Sequence, residues 1–170
     1  IMYAPTWRVR DKFELMLDLE KMKEKFSDEY VLILRLHHFS AKGWKGVPAD
    51  GFVYDLTDYE SIEDLYIITD ILITDYSSVM FDYSILNRPM LFFAYDLEDY
   101  KENLRGFYFD FVNDIPGPIS RDTDQLIKDI KEYNEDSWKE KYKNYHDKFN
   151  GIDDGHASQK VIDVIKKVSR

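Results

Sequence analysis

Cysteine is absent from the 170-residue sequence, which excludes disulfide bonds and thiolate metal sites. Long hydrophobic runs are missing too, since no apolar stretch approaches the roughly 20 residues of a membrane-spanning helix. Positive charge is scarce: 23 Lys and Arg residues stand against 33 Asp and Glu residues, for a net charge of -10. This balance argues against broad nucleic-acid binding, which relies on Lys and Arg, although a nucleotide pocket needs only a few local donors.

The sequence opens on Ile1, without the basic segment and apolar run of a signal peptide. A short apolar run from Ile1 to Ala4 ends at Pro5 and indicates a strand, so we expect the sequence to be a piece of a longer protein. Its 44% hydrophobic and 33% charged residues are typical of a globular domain. A length of 170 residues suffices for one domain but not for two full Rossmann-like domains. We therefore predict a single domain over residues 1–170.

Short apolar runs alternate with helical patterns along the sequence. Strands are predicted at residues 1–4, 30–36, 52–54, 70–74 and 90–93. Helices are predicted at residues 12–26, 61–67, 79–86, 123–133 and 157–168, and in an aromatic stripe of Trp138, Tyr142, Tyr145 and Phe149 that we expect to pack onto the sheet. Residues 95–118 are predicted to form an irregular loop. The alternation predicts an α/β fold: a Rossmann-like parallel sheet with helices on both faces.

Ligands of such sheets bind at the carboxyl ends of the strands, so the residues that follow each strand are candidates for a site. Arg8 follows the first strand and can bind a phosphate through two bonds; pairing with an acid is its alternative role. His37 follows the strand at 30–36 and is our candidate catalytic residue, because a histidine there can donate to a phosphate or act as acid or base. A loop histidine without function is the alternative.

The most informative segment follows the strand at 70–74. Thr74, Asp75, Tyr76, Ser77 and Ser78 crowd polar oxygens at a predicted helix start, where one or two capping side chains would suffice. Helix N-termini favour phosphate through their free N–H groups and partial positive charge, and hydroxyls can add donors. We therefore interpret the segment as a phosphate site, with an over-capped helix start as the alternative.

Arg105 and Gly106 form a second candidate anion contact, inside the loop predicted at 95–118. A basic residue beside a glycine combines charge with close backbone approach, whereas a turn with a solvated arginine is the alternative. The patterns GxGxxG, HExxH and GxSxG and the P-loop do not occur in the sequence. The candidates therefore fit phosphate binding without a signature of another common chemistry.

Several blocks occur in an order that makes the sequence recognisable. They are YAPTWR at residues 3–8, LRLH at 34–37, ILITDYSS at 71–78, FDY at 81–83, RGFYFD at 105–110, PGPI at 116–119 and GHAS at 155–158. Together they resemble the C-terminal half of the CDP-glycerol:poly(glycerophosphate) glycerophosphotransferase family over nearly the whole sequence. The ITDYSS, FDY and RGFYFDF blocks carry most of the specificity.

The resemblance implies the C-terminal domain of a glycosyltransferase-B-like enzyme, in which two Rossmann-like domains face a cleft and this one holds the cytidine nucleotide. The implied reaction moves glycerol phosphate from CDP-glycerol to a growing poly(glycerol phosphate) chain of the teichoic-acid type and releases CMP. It takes place at the cytoplasmic face of the bacterial membrane, with the protein bound peripherally. The implied partners are the CDP-glycerol donor, a lipid-linked acceptor reached through the N-terminal half, and the membrane surface, with no nucleic acid.

The same resemblance implies roles for individual residues. Asp75 and Asp82 would position the loop or the ribose. The family's general base, another histidine, belongs to the N-terminal half, so we expect this sequence alone to be inactive. His38 departs from the family, which usually has proline there. The implied contacts to the pyrophosphate and glycerol are Arg8, His37, Thr74, Ser77, Ser78, Arg105 and Gly106.

Phosphoryl transfer needs positioning and charge stabilisation more than a covalent residue, so we expect neither a cofactor nor a metal within this domain. Two alternatives stay open. A related transferase would use CDP-ribitol or a nucleotide sugar, and a module of another class would bind a nucleotide or a partner without catalysis.

Overall fold

The first five strands of the computed structural model lie close to the predicted positions, and a sixth strand was not predicted. The model describes residues 1–8, 14–37, 44–152 and 154–169, which leaves His38 outside the described residues. The strands are β1 (Met2–Ala4), β2 (Leu32–Leu34), β3 (Val53–Asp55), β4 (Leu72–Thr74), β5 (Met90–Phe93) and β6 (Ile119–Ser120). Within the described part of the chain they form one parallel sheet in the order β3-β2-β1-β4-β5-β6. This order confirms the predicted Rossmann-like α/β class.

Helices connect the strands and follow the last of them. They are α1 (Leu19–Phe26), α2 (Ile62–Ile68), α3 (Val79–Ser84), α4 (Leu97–Asp99), α5 (Phe111–Asp114), α6 (Thr123–Lys131), α7 (Glu135–Phe149) and α8 (Ala157–Val168). A π-helical turn (Tyr100–Leu104) continues α4. Residues 95–118 therefore hold two short helices and a π-helical turn, and the prediction of a wholly irregular loop was wrong.

Local chemistry sets where α1 and α2 begin. The Asp18 side chain accepts the backbone N–H of Lys21 at 3.1 Å, so α1 starts at Leu19, later than the predicted residue 12. Ser61 accepts the N–H of Asp64 at 3.1 Å and begins α2 as predicted. An N-cap side chain thus fixes the first turn in both helices.

Successive residues of each strand face opposite sides of the sheet, as the period of two requires. Tyr3 and Leu91 lie on one side, where they pack with Met22 of α1 and Leu126 of α6. The other side carries the alternate strand residues, such as Met2, Leu72 and Phe92, against α2, α3, α5 and α7. Helices therefore cover both faces, as predicted from the near-continuous apolar runs.

The aromatic stripe of α7 belongs to the core on the second face of the sheet. Tyr142 and Tyr145 are buried there with Met90 and Phe92 of β5. Tyr145 stacks on Phe81 of α3 with ring centroids 5.8 Å apart. The prediction that the stripe packs onto the sheet is confirmed for Tyr142, Tyr145 and Phe149, while Trp138 lies outside this core.

Helix α8 has the predicted bounds but a different environment from the other helices. None of its described residues is buried, and Val161, Val164 and Ile165 are each more than half exposed. None of the helices in the described part of the chain combines the length and apolar character that crossing a bilayer requires.

Candidate functional site

The order of the strands places the switch of direction between β1 and β4. Connections leave the sheet to opposite sides at this point, so the carboxyl ends of these two strands open a crevice. Arg8 follows β1, while Asp75 and Ser77 follow β4. The structure therefore gathers these predicted site residues at the edge where α/β sheets bind their ligands.

Arg8 is the centre of a buried polar cluster at this edge. Its Nε donates to Asp96 at 2.8 Å, and its Nη2 donates to Asp75 at 2.9 Å and to Asp96 at 3.0 Å. The third nitrogen, Nη1, donates to the carbonyl of Thr6 at 2.8 Å. The Arg8 side chain is only 7% exposed. Pairing with acids, the alternative set beside phosphate binding, is therefore what the structure shows, although it occurs in the interior and not at the surface.

Three aromatic rings and the carboxylates of Asp75 and Asp96 surround the guanidinium of Arg8. The Arg8 Cζ lies 5.0 Å from the ring centre of Tyr76, 5.1 Å from Tyr100 and 5.7 Å from Tyr95. Burial opposes the charged form, but the bonds to Asp96 and the charge of Asp75 outweigh it, so the pKa of Arg8 is raised. Arg8 thus stays charged at any pH at which the protein is folded.

Asp75 ties the ends of β1 and β4 together. Its carboxylate is 1% exposed and accepts the backbone N–H groups of Thr6 at 2.7 Å and Tyr76 at 2.6 Å, besides the bond from Arg8. With these bonds the side chain orders the loop after β1, which is one of the two roles expected for it.

Thr74 is a correction to the predicted phosphate site. The residue is fully buried, and its hydroxyl donates to the carbonyl of Ala4 at 2.7 Å. This hydrogen bond connects β4 to β1. Because a hydroxyl has only one proton to donate, Thr74 is not available as a phosphate donor in this arrangement.

His37 and Ser77 line the same small pocket, of about 160 Å³, beside the end of β1. The remaining walls come from the ends of β1 and β2 and from the starts of α2 and α3: Ala4, Pro5, Arg35, Leu36, Ile62 and Val79. Two candidates that are 40 positions apart in sequence therefore meet at one concave surface.

The serines at the start of α3 are not used as strong caps. Ser78 is exposed and, within the described part of the chain, forms no side-chain bond to the helix. The Ser77 hydroxyl accepts the N–H of Val79 only at 3.5 Å. The over-capped helix, the alternative interpretation of this segment, therefore does not account for these hydroxyls.

Arg105 and Gly106 lie at the end of the π-helical turn. Both backbone N–H groups donate to the carbonyl of Tyr100, at 3.2 and 3.0 Å. Gly106 has a φ of 64°, a left-handed conformation that favours glycine. The exposed Arg105 side chain reaches the segment after β1, where its Cζ lies 5.8 Å from the ring centre of Trp7.

Asp82 lies on the exposed side of α3, and its charge helps to raise the pKa of Tyr66, after burial of that phenol. Sequence reasoning missed Asp96, which follows β5 at the same edge of the sheet. The rule that singled out the other strand ends would have found it. Within the described ranges, His, Asp and Glu side chains nowhere gather in threes as metal ligands would.

A parallel sheet in this order, with polar groups gathered at its switch point, defines the class of doubly wound Rossmann-like domains. The family model described as CDP-Glycerol:Poly(glycerophosphate) glycerophosphotransferase matches residues 1–167. The chain belongs to that family, which confirms the resemblance seen in its motifs.

Named relatives agree with this assignment. A teichoic acid poly(glycerol phosphate) polymerase of Bacillus subtilis (strain 168) is 43% identical over 98% of this chain and 24% of its own length. A teichoic acid glycerol-phosphate transferase of Staphylococcus aureus (strain NCTC 8325 / PS 47) is 42% identical over 98% of this chain and 45% of its own. The chain therefore spans about a quarter of the length of the first relative and just under half of the second.

Solved structures show the same fold. The wall teichoic acid polymerase TagF superimposes with a TM-score of 0.84 at 42% identity, over 98% of this chain and 42% of that one. A histidine variant of TagF soaked with CDPG gives a TM-score of 0.83 at 42% identity, over 98% and 41% of the two chains.

Proposed function

We propose that this chain is the donor-binding domain of a transferase that moves glycerol phosphate from CDP-glycerol to a poly(glycerol phosphate) chain of the teichoic-acid type. The family match over residues 1–167 carries the proposal. The polar edge at the switch point supports it, because that edge is where α/β sheets of this order bind nucleotides.

The proposed chemistry is a displacement at phosphorus. A hydroxyl of the acceptor attacks the phosphorus that bears glycerol and gives its proton to a general base, the bridging phosphorus–oxygen bond breaks, and CMP leaves with that oxygen. His37, Ser77, Ser78 and Arg105 are the groups we assign to the phosphates, because they are exposed or line the pocket. Their hydrogen bonds and charge would stabilise the negative charge that develops on the bridging oxygen.

The buried residues of the edge have a different proposed part. Arg8 and Asp75 would hold the strand ends in place, and Gly106 would let the backbone turn toward the donor. Asp82, on the exposed side of α3, would contact the ribose or order the adjoining loop. These assignments keep every predicted site residue except Thr74, whose hydroxyl is bonded within the sheet.

The complete reaction is proposed for a longer protein. The relatives exceed this chain at least twofold in length, so we place the acceptor site and the general base in the remaining part. We also propose that the longer protein acts peripherally at the cytoplasmic face of the membrane, where a lipid-linked acceptor would be reached, and that it binds no nucleic acid.

Calorimetric titration of the chain with CDP-glycerol, CMP and UDP-glucose tests donor binding. We expect weak binding of both cytidine compounds and weaker binding of the uridine compound. His37→Gln should lower the affinity for CDP-glycerol about tenfold, the effect of losing one hydrogen bond to a charged group. His146→Gln, on α7 away from the strand ends, is the matched control and should leave the affinity unchanged. Equal affinity for UDP-glucose, or binding of none of the three, would overturn the proposal.

A CDP-ribitol donor is the second candidate, because a teichoic acid ribitol-phosphate primase of Bacillus spizizenii (strain ATCC 23059 / NRRL B-14472 / W23) is 41% identical over 97% of this chain. Adding CDP-ribitol to the titration decides between the two donors by their relative affinity. The chain alone should release no CMP in the presence of a glycerophosphate acceptor. Acceptor-dependent CMP release by the chain alone would show that base and acceptor site lie within it.

A further inference from the structure

Arg8 connects the carboxyl ends of three adjacent strands. It follows β1, and its two carboxylate partners follow β4 (Asp75) and β5 (Asp96). The side chains of all three residues are less than 10% exposed. Tyr76 adds a fourth member, because its hydroxyl donates to Asp96 at 3.2 Å. The two carboxylates accept bonds from Nε and Nη2, and Nη1 donates to the carbonyl of Thr6, so all three nitrogens of Arg8 are bonded within the protein.

Asp96 is also the start of the segment that carries Arg105. Its backbone carbonyl accepts the N–H of Tyr100 at 2.8 Å, which leads α4 into the π-helical turn. Tyr100 in turn stacks on Tyr76 with ring centroids 3.9 Å apart and an angle of 26° between the rings. The carbonyl of Tyr100 then accepts the N–H groups of both Arg105 and Gly106. A continuous set of contacts therefore runs from the buried cluster to Arg105.

The position of the π-helical turn strengthens this connection. π-Helical turns are rare, and they occur frequently next to functional sites because the extra residue alters where the following chain points. Here the residues that follow are Arg105 and Gly106, and the Arg105 side chain returns over Trp7, the neighbour of Arg8 in sequence. The π-helical turn thus holds the backbone of Arg105, and the segment after β1 that carries Arg8 holds its side chain.

We propose that Asp96 and Tyr76 are positioning residues that hold Arg105 ready for the donor phosphate. This proposal rests on the proposed function. An exposed arginine loses much side-chain freedom when it binds a phosphate, so a backbone fixed beforehand lowers the cost of binding. Arg8 contributes by anchoring Asp96, and the exposed side chain of Arg105 is left to face outward.

Amide hydrogen exchange tests the proposal without any ligand. Asp96→Asn replaces a carboxylate that accepts two bonds from Arg8 by an amide whose N–H₂ group opposes the guanidinium. We expect the amides of Arg105 and Gly106 to exchange at least about tenfold faster, the equivalent of one lost charge-assisted hydrogen bond. Tyr76→Phe keeps the ring stack and removes one bond, so exchange should rise only a few-fold.

Glu98→Gln is the matched control. Glu98 lies on α4 two residues beyond Asp96 and also pairs with an arginine, Arg121, but its side chain is 74% exposed. Exchange at Arg105 and Gly106 should be unchanged in this variant. Amides of β1 and β2 should also keep their protection in Asp96→Asn, which separates a local effect from loss of the fold. Unchanged exchange at Arg105 and Gly106, or equal acceleration throughout the sheet, would overturn the proposal.

A double-mutant cycle on CDP-glycerol affinity tests the connection to binding. Arg105→Ala should weaken binding about tenfold in the original chain, but only about twofold in the Asp96→Asn background, because the arginine is no longer held in place. Equal effects in both backgrounds would contradict positioning through Arg105. If the original chain binds no CDP-glycerol, the proposed function fails. The exchange experiment then still decides whether Asp96 orders the segment.

Discussion

Thr74 joins β4 to β1 through a hydroxyl that donates to the carbonyl of Ala4. Thr74→Val keeps the shape of the side chain but removes the donor, so the carbonyl loses a partner in the dry interior. We expect the free energy of unfolding to fall by about 1 kcal/mol, measured by urea denaturation. The affinity for CDP-glycerol should not change. A loss of affinity at unchanged stability would instead restore the hydroxyl as a phosphate donor.

Asp96 should make stability depend on pH in a defined direction. Burial acts to raise the pKa of this carboxyl, but the bonds and charge of Arg8 outweigh it and leave the pKa below its ordinary 3.8. A depressed native pKa contributes stability above the unfolded value, and this contribution is lost as the pH falls through the native value.

Asp96→Asn should therefore lower the free energy of unfolding by an amount that depends on pH. At pH 7 we expect the variant to be about 1–3 kcal/mol less stable, as for a lost hydrogen bond to a charged group. The difference should shrink as the pH is lowered past about 4. Urea denaturation of both proteins at a series of pH values measures it, and a difference that is independent of pH would show that Asp96 contributes nothing through its charge.

Sequence reasoning found most residues at this edge but not their partners. Arg8 could be recognised as an anion ligand from its place after a strand, yet its two acids lie 67 and 88 positions away. Which of the many acids it meets depends on β4 lying next to β1 and on β5 lying next to β4 in the sheet. Local patterns do not carry that information. The same reason explains why the hydroxyl of Thr74 could be taken for a phosphate ligand.

At the scale of elements, the serines in the turn from β4 into α3 allow an experiment that distinguishes donor binding from helix capping. Ser77→Ala combined with Ser78→Ala removes two hydroxyls that contribute little to the helix start. We expect affinity for CDP-glycerol to fall by about 1–3 kcal/mol, while the melting temperature stays the same. Affinity and melting should be measured on the same samples. A lower melting temperature at unchanged affinity would make these serines helix caps only.

Gly117, in the loop before β6, lies so close to the start of β5 that no side chain fits there. A Cβ on Gly117 would lie 1.9 Å from the carbonyl oxygen of Met90, a backbone atom that cannot move without disturbing β5. Gly117→Ala should therefore cost about 1–3 kcal/mol or more of unfolding free energy. Thermal unfolding measures this loss. A variant as stable as the original would mean that the chain between α5 and β6 moves away from β5 at little cost.

The predicted elements differ in how local their signals are. Strands β1, β2, β4 and β5 were found because each is a short apolar run that is buried on both faces. β3 is only partly buried, and Ser61 indicated the start of α2 as a capping residue. β6 was missed because it has only two residues and pairs through its place beside β5, not through a pattern of its own. The π-helical turn was missed because its extra residue depends on the packing of Tyr100 against Tyr76.

At the scale of the whole molecule, α8 should contribute little to the stability of the described body. Val161→Ser combined with Ile165→Ser changes two residues that are 58% and 55% exposed. We expect the free energy of unfolding to change by no more than about 0.5 kcal/mol. Leu126→Ala on α6, where the side chain is fully buried, should cost about 2–5 kcal/mol and serves as the comparison. A large loss in the α8 variant, measured by urea denaturation, would mean that this helix packs on the body in solution.

The central place of β1 in the sheet has a consequence for how the chain reaches this structure. Met2 pairs with Ile33 on one side and with Leu72 on the other, so one edge of β1 has no neighbour until some 70 further residues have been synthesised. Non-local pairing of this kind slows folding, because the entropy of closing a long loop is lost before the strand contacts that compensate for it can form. During synthesis, the partly folded β1–β2 pair would expose an apolar strand edge that can join the same edge of another nascent chain. Aggregation of this protein during expression should therefore fall when translation is slowed or the temperature is lowered, without any substitution on the surface of the folded protein.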